Sequence, residues 1–384
     1  MFYCHHSTGL GHLVRSLAVV GELARFASVT LCVGGRMPPG LSVPAGVELL
    51  ALPAIGTEAS GRLVGSDGRP EVQPIMRERG RLLIECFEQL QPDALVLELF
   101  PFGRRKFAAE LLPLLERARS ARPVPVIVSS VRDLLVSGHP DKLAHDEVAA
   151  RRLDAYFDAV VVHGDPRFAE LSETFRPIEP ARVPVYYSGF VVGGGNRAEP
   201  SPGRDREVVV SAGGGAVGHA LFDAAVQAHQ GWLRPQGFRT RIITGPFLPA
   251  ADLKQLSAIS ERDTSLTVQR FVPDLRPVLA RSAVSVSQAG YNTALDLLVT
   301  RTPAVVVPYG DARENEQPER ARRLARLGAV QVLEPAELSG PELARRVLSA
   351  ATRPPHLPEL DLDGAVNSAR IIAGLLAQPN LVAS

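Results

Sequence analysis

Short, near-continuous apolar runs alternate along this chain with longer segments whose apolar residues recur every three and four positions. The runs fall at residues 2–5, 29–33, 94–97, 124–129, 159–163 and 183–187, then at 207–211, 239–244, 265–269, 283–286, 304–307 and 330–333. They are rich in Val, Ile and Leu and show no strict alternation with polar residues. That pattern predicts strands buried on both faces, as in a parallel sheet covered by helices. Segments 13–25 and 107–119 carry the helical period, so strand and helix alternate as in successive βαβ units. Residues 193–206, Gly-Gly-Gly-Asn-Arg-Ala-Glu-Pro-Ser-Pro-Gly-Arg-Asp-Arg, have no apolar period at all. They predict a linker. The expected architecture is α/β: two tandem doubly wound domains, 1–192 and 207–384, joined by 193–206. In such sheets ligands bind beyond the carboxyl ends of the strands, so a central cleft between two facing sets of strand ends is the expected site.

Composition narrows the function without naming it. The chain has 384 residues, 42 basic and 41 acidic, with a formal charge of +1. A nucleic-acid binder draws its affinity from a basic surplus, so that class is excluded as a main role. Cys4, Cys32 and Cys86 have no paired spacing and are expected to be reduced core residues of a cytoplasmic protein rather than a zinc site. His5, His6, His12 and Arg15 interrupt the N-terminus before an apolar signal region forms. The first strand starts at the initiator Met, so translation is expected to begin slightly upstream. No uncharged apolar run nears the ~18–20 residues of a spanning helix. The 33 Gly and 32 Pro lack any collagen-like period, which implies many turns, and turns carry function.

Three stretches beyond strand ends can carry chemistry. The first is Ser7-Thr8-Gly9-Leu10-Gly11-His12-Leu13-Val14-Arg15. Glycines let backbone approach a ligand, and a helix start offers free N–H groups. His12 falls in or beside the first helical turn, where the macrodipole disfavours an imidazolium and keeps the ring a neutral base. The alternative is a glycine turn with an incidental histidine; His5 and His6 equally could only line a wall. Glu98 and the pair Arg132–Asp133 follow strands of the same half and are candidate acceptor-side residues with Thr8, Gly9 and Gly11.

The second stretch is Gly213-Gly214-Gly215, leading into a helix. It suits phosphate oxygens, though it is neither a Walker loop nor the strict dinucleotide fingerprint. The third is Gly290-Tyr291-Asn292-Thr293-Ala294-Leu295-Asp296, followed by Glu316-Gln317-Pro318. Thr293 and Asp296 could form a capping box, or Asp296 could accept from ribose hydroxyls. Gln317 could face the cleft or cap its helix.

Together, the Gly9–His12 turn, the Gly213–Gly215 loop and the 290–317 region resemble the two-Rossmann glycosyltransferases of the GT-B fold. The likeness is nearest to family 28, which includes the peptidoglycan branch that transfers N-acetylglucosamine to a lipid-linked acceptor. The segment from Glu98 through Arg105 also looks like a branch of predicted bacterial glycosyltransferases. The resemblance implies a UDP-sugar as co-substrate in the C-terminal domain. Gly213, Gly214 and Gly215 would then face the diphosphate, and Gly290 and Thr293 would line its path. Phe271 and Val272 would present backbone to the uracil. Asp296, where the family more often has Glu, would hold the ribose, and Gln317 with Glu316 would meet the donor sugar. It further implies an inverting, metal-independent hexosyl transfer with His12 as base and no cofactor. Rival expectations are a UDP-sugar hydrolase, similar in its Gly-x-Gly-His-x-x-Arg turn to the hydrolase of pseudaminic acid synthesis, and a non-catalytic nucleotide-sugar sensor. Residues 101–123, rich in Arg with Phe and Leu between, suggest peripheral membrane contact or an ordinary amphipathic helix.

Overall fold

The computed structural model describes residues 1–6, 11–38, 40–58, 62–65, 71–135, 141–193, 203–215, 217–310, 315–353, 355–356 and 359–377. The chain divides into two compact units. One holds the residues up to 193 together with those from Leu360 onward; the other runs from 203 to Glu359.

The strands of the first unit are β1 (Phe2–Cys4), β2 (Val29–Val33), β3 (Val47–Ala51), β4 (Ile55–Thr57), β5 (Leu63–Gly65), β6 (Ala94–Glu98), β7 (Val126–Arg132), β8 (Ala159–His163) and β9 (Val185–Tyr187). Seven of them make one sheet in the order β3-β2-β1-β6-β7-β8-β9, parallel throughout. β4 and β5 form a separate antiparallel hairpin. The second unit contains β10 (Asp205–Ser211), β11 (Arg239–Ile243), β12 (Leu266–Gln269), β13 (Ser282–Ser287), β14 (Ala304–Val306) and β15 (Gln331–Val332). Their order is β12-β11-β10-β13-β14-β15, again all parallel. Each sheet starts in its middle, winds outward to one edge, and restarts on the other side of the first strand. This is the doubly wound order, with the switch points at β1/β6 and β10/β13.

Burial explains the continuous apolar runs. Tyr3, Leu95, Leu97 and Ile127 enter the core on one face of the first sheet. Their neighbours Phe2, Cys4, Val96 and Val128 enter the core on the other face. Period-two alternation therefore sends every second residue to a different buried layer, each large side chain contributing roughly 1.5–3 kcal/mol. A buried polar cluster sits in this interior. Arg79 donates to Glu110 from Nε at 2.6 Å and Nη2 at 2.7 Å, and to the carbonyls of Gly34 and Pro53 from Nη1. Tyr3 donates to the same carboxylate at 2.6 Å. Every charge in the cluster is matched, as burial demands.

Three expectations need adjustment. The domain boundary at the C-terminus differs: helix Gly364–Leu376 groups with the first unit, not with residues 207–359. Its Ala369 and Ile372 share a core with Leu13, Leu17 and Val20 of helix Gly11–Leu23, so its apolar face is satisfied there. The linker ends sooner than residue 206, because β10 already begins at Asp205. Just before it, Arg204 donates to the carbonyls of Leu279, Ala280, Ser282, Thr300 and Arg301. These lie at the ends of helices Arg276–Arg281 and Tyr291–Thr300, where the macrodipole favours a cation. Finally, β3 and the β4–β5 hairpin were not expected from the pattern.

Candidate functional site

In the first unit the candidate residues gather at the carboxyl edge of β1, β6 and β7. Thr8 and Gly9 lie outside the described residues, as do 7–10 generally. Helix Gly11–Leu23 begins directly after them, so Gly11 and His12 occupy its first turn. Leu13, Ser16, Leu17, Val20 and Leu23 face inward, and this spacing holds the helix start in place over the end of β6.

That end is Glu98. Its side chain is fully buried, and three groups converge on its carboxylate. His12 Nδ1 lies 2.5 Å from Oε1. Arg15 Nη2 donates to the same oxygen at 2.7 Å, and Arg104 Nη2 donates to Oε2 at 3.2 Å. Burial alone would raise the Glu98 carboxyl, but His12, Arg104 and Arg15 together hold it well below the usual carboxylate range. An ionised carboxylate can only accept, so Nδ1 must carry the ring proton and Nε2 keeps its lone pair. Burial, above all, lowers the His12 imidazole to about 4, against the opposing pull of Glu98. The ring is therefore neutral at pH 7 with an accepting Nε2. That is the protonation state of a general base held by an acidic partner.

His5 and His6 follow β1 and are buried. Both rings are lowered, first by burial and then by Arg79 or Arg104; His5 falls to about 2. His5 stacks on Phe107 with centroids 3.9 Å apart. Arg132 ends β7, one strand from Glu98, and Asp133 is buried against Gly164. Pattern reading left out Arg104 and the part played by Arg15. Arg15 stands three residues after His12 on a helix, which places both on one face; that spacing was the available signal. Arg104 returns to Glu98 through a loop in which Leu99 and Arg104 both have positive φ, and no periodicity announces such a turn.

In the second unit Gly213–Gly215 and the helix start at Gly290 lie at the β10/β13 switch point, whereas Phe271 and Val272 follow the edge strand β12. Gly213 and Gly215 have φ of 55° and 88°, a region that favours glycine. A side chain at Gly215 would also collide with the Thr244 carbonyl. Gly214 accepts from Phe247 N at 2.9 Å. Helix His219–Ala228 starts beyond this loop, and helix Tyr291–Thr300 starts beyond β13 with Gly290 as its N-cap. β10 and β13 are adjacent, pairing Ser211 with Ser287. Two helix N-termini are thus presented at the carboxyl ends of adjacent strands, an arrangement suited to phosphate.

Because Gly290 is the N-cap, Thr293 lies inside the helix and the capping-box alternative does not form. Asp296 is half-buried on that helix. Burial raises its carboxyl to about 7, opposed by Arg276 and aided by Asp274. Arg276 itself is clasped by Asp274 at 3.0 Å through both carboxylate oxygens. Phe271 and Val272 follow β12, the Phe271 side chain largely exposed and Val272 half-buried. Glu316 is buried and bound to Arg320 at 2.6 Å. Arg320 also donates to Ala289 O at 3.1 Å and stands over the Tyr291 ring. Arg320, held by Glu316, thereby ties helix Glu316–Arg326 to the turn before helix Tyr291–Thr300. Gln317 Oε1 accepts from Tyr309 N at 3.2 Å.

Comparison with known proteins bears on the fold. The calicheamicin glycosyltransferase CalG4 superposes with a TM-score of 0.60 at 19% identity, over 98% of this chain and 94% of its own. MurG of Acinetobacter baumannii gives 0.56 at 15% identity, over 98% and 97%. The fold is that of the GT-B glycosyltransferases, two Rossmann-like halves in one chain. More particularly, residues 209–369 match the glycosyltransferase family 28 C-terminal domain, so that part of the chain is similar to this family. Among curated relatives, the UDP-N-acetylglucosamine--N-acetylmuramyl-(pentapeptide) pyrophosphoryl-undecaprenol N-acetylglucosamine transferase of Gloeobacter violaceus is 29% identical over 153 residues. The match spans 40% of this chain and 42% of that relative, so the chain covers less than half of that relative's length. No described helix is long and apolar enough to cross a membrane.

Proposed function

We propose that this protein is a glycosyltransferase that moves a hexosyl or N-acetylhexosaminyl group from a UDP-sugar to an acceptor hydroxyl with inversion. The observation that carries the reading is the buried Glu98 holding His12 Nδ1 at 2.5 Å. His12 Nε2 takes the proton of the acceptor hydroxyl, whose oxygen attacks the anomeric carbon as the bond to the nucleotide diphosphate breaks. A single in-line displacement inverts the anomeric centre. Charge grows on the leaving diphosphate, where the amides of Gly213–Gly215 and the two helix starts stabilise it. Asp296 accepts from the ribose. This division of labour calls for no metal or further cofactor.

Support for the donor class comes from the family 28 match over 209–369 and from the UDP-linked donor in the name of the Gloeobacter violaceus relative. The partners on this reading are the nucleotide-sugar and the acceptor. Peripheral contact with an anionic membrane through 101–123 would rest on exposed Arg105, Lys106, Arg117 and Arg122, because Leu111, Leu114, Leu115 and Phe107 face the core.

A thermal-shift panel of nucleotides and nucleotide-sugars tests the donor. UDP or a UDP-sugar at ~100 times its Kd should stabilise the protein by about 2.7 kcal/mol; a panel in which every uridine nucleotide fails refutes it. His12→Ala should then lower turnover by about 100-fold or more with nucleotide affinity unchanged. Retained turnover under excess EDTA checks metal independence, and release of free sugar without any acceptor would mark a hydrolase instead.

A further inference from the structure

The stretch from Leu360 onward follows the second unit in sequence, yet its polar groups are spent on the first. Phe190 N donates to Asp361 O at 2.7 Å, and Gly364 N donates to Phe190 O at 3.0 Å. Asp361 N donates to Asp165 Oδ2 at 2.8 Å. Asn367 Nδ2 donates to Ser188 O and to Asp361 Oδ2, both at 3.0 Å. Ser368, one residue on, reaches His163 Nδ1 at 3.2 Å.

The hydroxyls beside His163 set its tautomer. Ser368 Oγ donates to Gly364 O at 2.5 Å, and Ser188 Oγ has the carbonyls of Val162 and Gly189 within 3.3 Å and 3.2 Å. With their own protons committed, both hydroxyls can only accept from the ring, so Nδ1 carries the hydrogen. Nε2 then accepts from Ser130 Oγ at 2.6 Å. Ser130 is the register partner of Glu98 across β6 and β7, and its carbonyl accepts from Leu99 N at 2.7 Å. The polar path thus runs from the C-terminal helix through His163 to the strand beside Glu98. The apolar path runs from Ala369 and Ile372 to Leu13 and Leu17, on the helix that bears His12 and Arg15.

We propose that Ser368 and His163 are positioning residues for the His12 base: they anchor the C-terminal helix so that it holds helix Gly11–Leu23 against the strand end bearing Glu98. This rests on the reading of His12 as the base. When the anchor is lost, the helix start loosens, Glu98 grips His12 less firmly, and the ring becomes wetter.

The test compares wild type, Ser368→Ala and Ser368→Thr, with ring-¹⁵N histidine NMR as the main readout. Ala suits a helix interior, so folding should survive. In the wild type, His12 should be the Nδ1–H tautomer and protonate near pH 4. In Ser368→Ala its midpoint should rise from there toward the ordinary histidine range as burial weakens, with turnover down about tenfold and donor KM unchanged. Ser368→Thr keeps the hydroxyl and should restore both. Ser130→Ala, acting at the other end of His163, should move His12 in the same direction as Ser368→Ala. A His12 titration in Ser368→Ala that coincides with wild type overturns the proposal; so does an equal change in the Ala and Thr variants, which would mark packing rather than the hydroxyl. A wild type without turnover on any donor would count against the transferase reading alone, because the NMR comparison still decides this one.

Discussion

Glu98→Gln is the sharpest perturbation of the site, because it preserves shape and removes only charge. The carboxylate serves three donors, His12 and Arg15 on Oε1 and Arg104 on Oε2. An amide has one accepting oxygen, so in either orientation its NH2 meets at least one donor head-on. The side chains of Arg15 and Arg104 are only 3% and 13% exposed. Leaving one of them uncompensated should cost about 3–5 kcal/mol, the usual penalty for breaking a buried pair. The orientation with the least conflict turns the oxygen toward His12 and Arg15. The Nδ1–H bond then survives, but as a neutral bond of roughly half the strength. The imidazolium formed as the acceptor loses its proton would have no counter-charge, and turnover should fall by about 100- to 1,000-fold. UDP affinity should not change, since the residues proposed for the nucleotide belong to the other unit. The assay is UDP release under saturating donor, beside thermal melting and UDP titration. His12→Ala with Glu98→Gln should be no slower than His12→Ala alone, because the two act as one device. Turnover of Glu98→Gln within twofold of wild type, or losses that multiply in the double variant, would refute the orienting role.

Further outcomes follow from the same geometry. With His12 lowered to about 4, the acid limb of the rate profile should lie near pH 4 instead of near 6.5, where an ordinary histidine protonates; a limb near 6.5 would show the ring to be solvated. The same depression makes His12 a source of stability that is complete above pH 6.5 and is lost as pH falls toward 4, because the unfolded chain protonates first. If Asp296, raised to about 7, holds the ribose as proposed, its ionised carboxylate should accept from the hydroxyls more strongly than the neutral acid, so UDP should bind more tightly at pH 8 than at pH 6, and Asp296→Asn should flatten that dependence in calorimetric titrations. Arg204→Ala removes a cation from the ends of two helices and should destabilise the protein by about 2–3 kcal/mol in denaturant unfolding.

The doubly wound architecture was legible because each run of Val, Ile and Leu is buried on two faces and so lacks any competing polar pattern. All twelve expected strands are present, with ends shifted by a few residues. β3 escaped notice because it is an edge strand, with Glu48, Leu49 and Ala51 exposed; the signal that marks an interior strand is missing there. The glycine turns of the second unit could be read because positive φ restricts the residue type. Glu98 was singled out as a strand-end carboxylate, but its bond to His12 joins residues 86 apart in sequence, and no local pattern encodes that distance. The C-terminal helix was assigned to the wrong neighbour for a related reason: an apolar face shows that a helix packs, not against what.

The return of helix Gly364–Leu376 to the first unit also bears on the order of synthesis. A ribosome delivers β1 through β9 before the second sheet, yet the apolar faces of Leu13, Leu17 and Val20 must wait for Ala369 and Ile372, which emerge after it. The half of the protein that is made first is therefore finished last. Its final core layer closes only after the second sheet has been made.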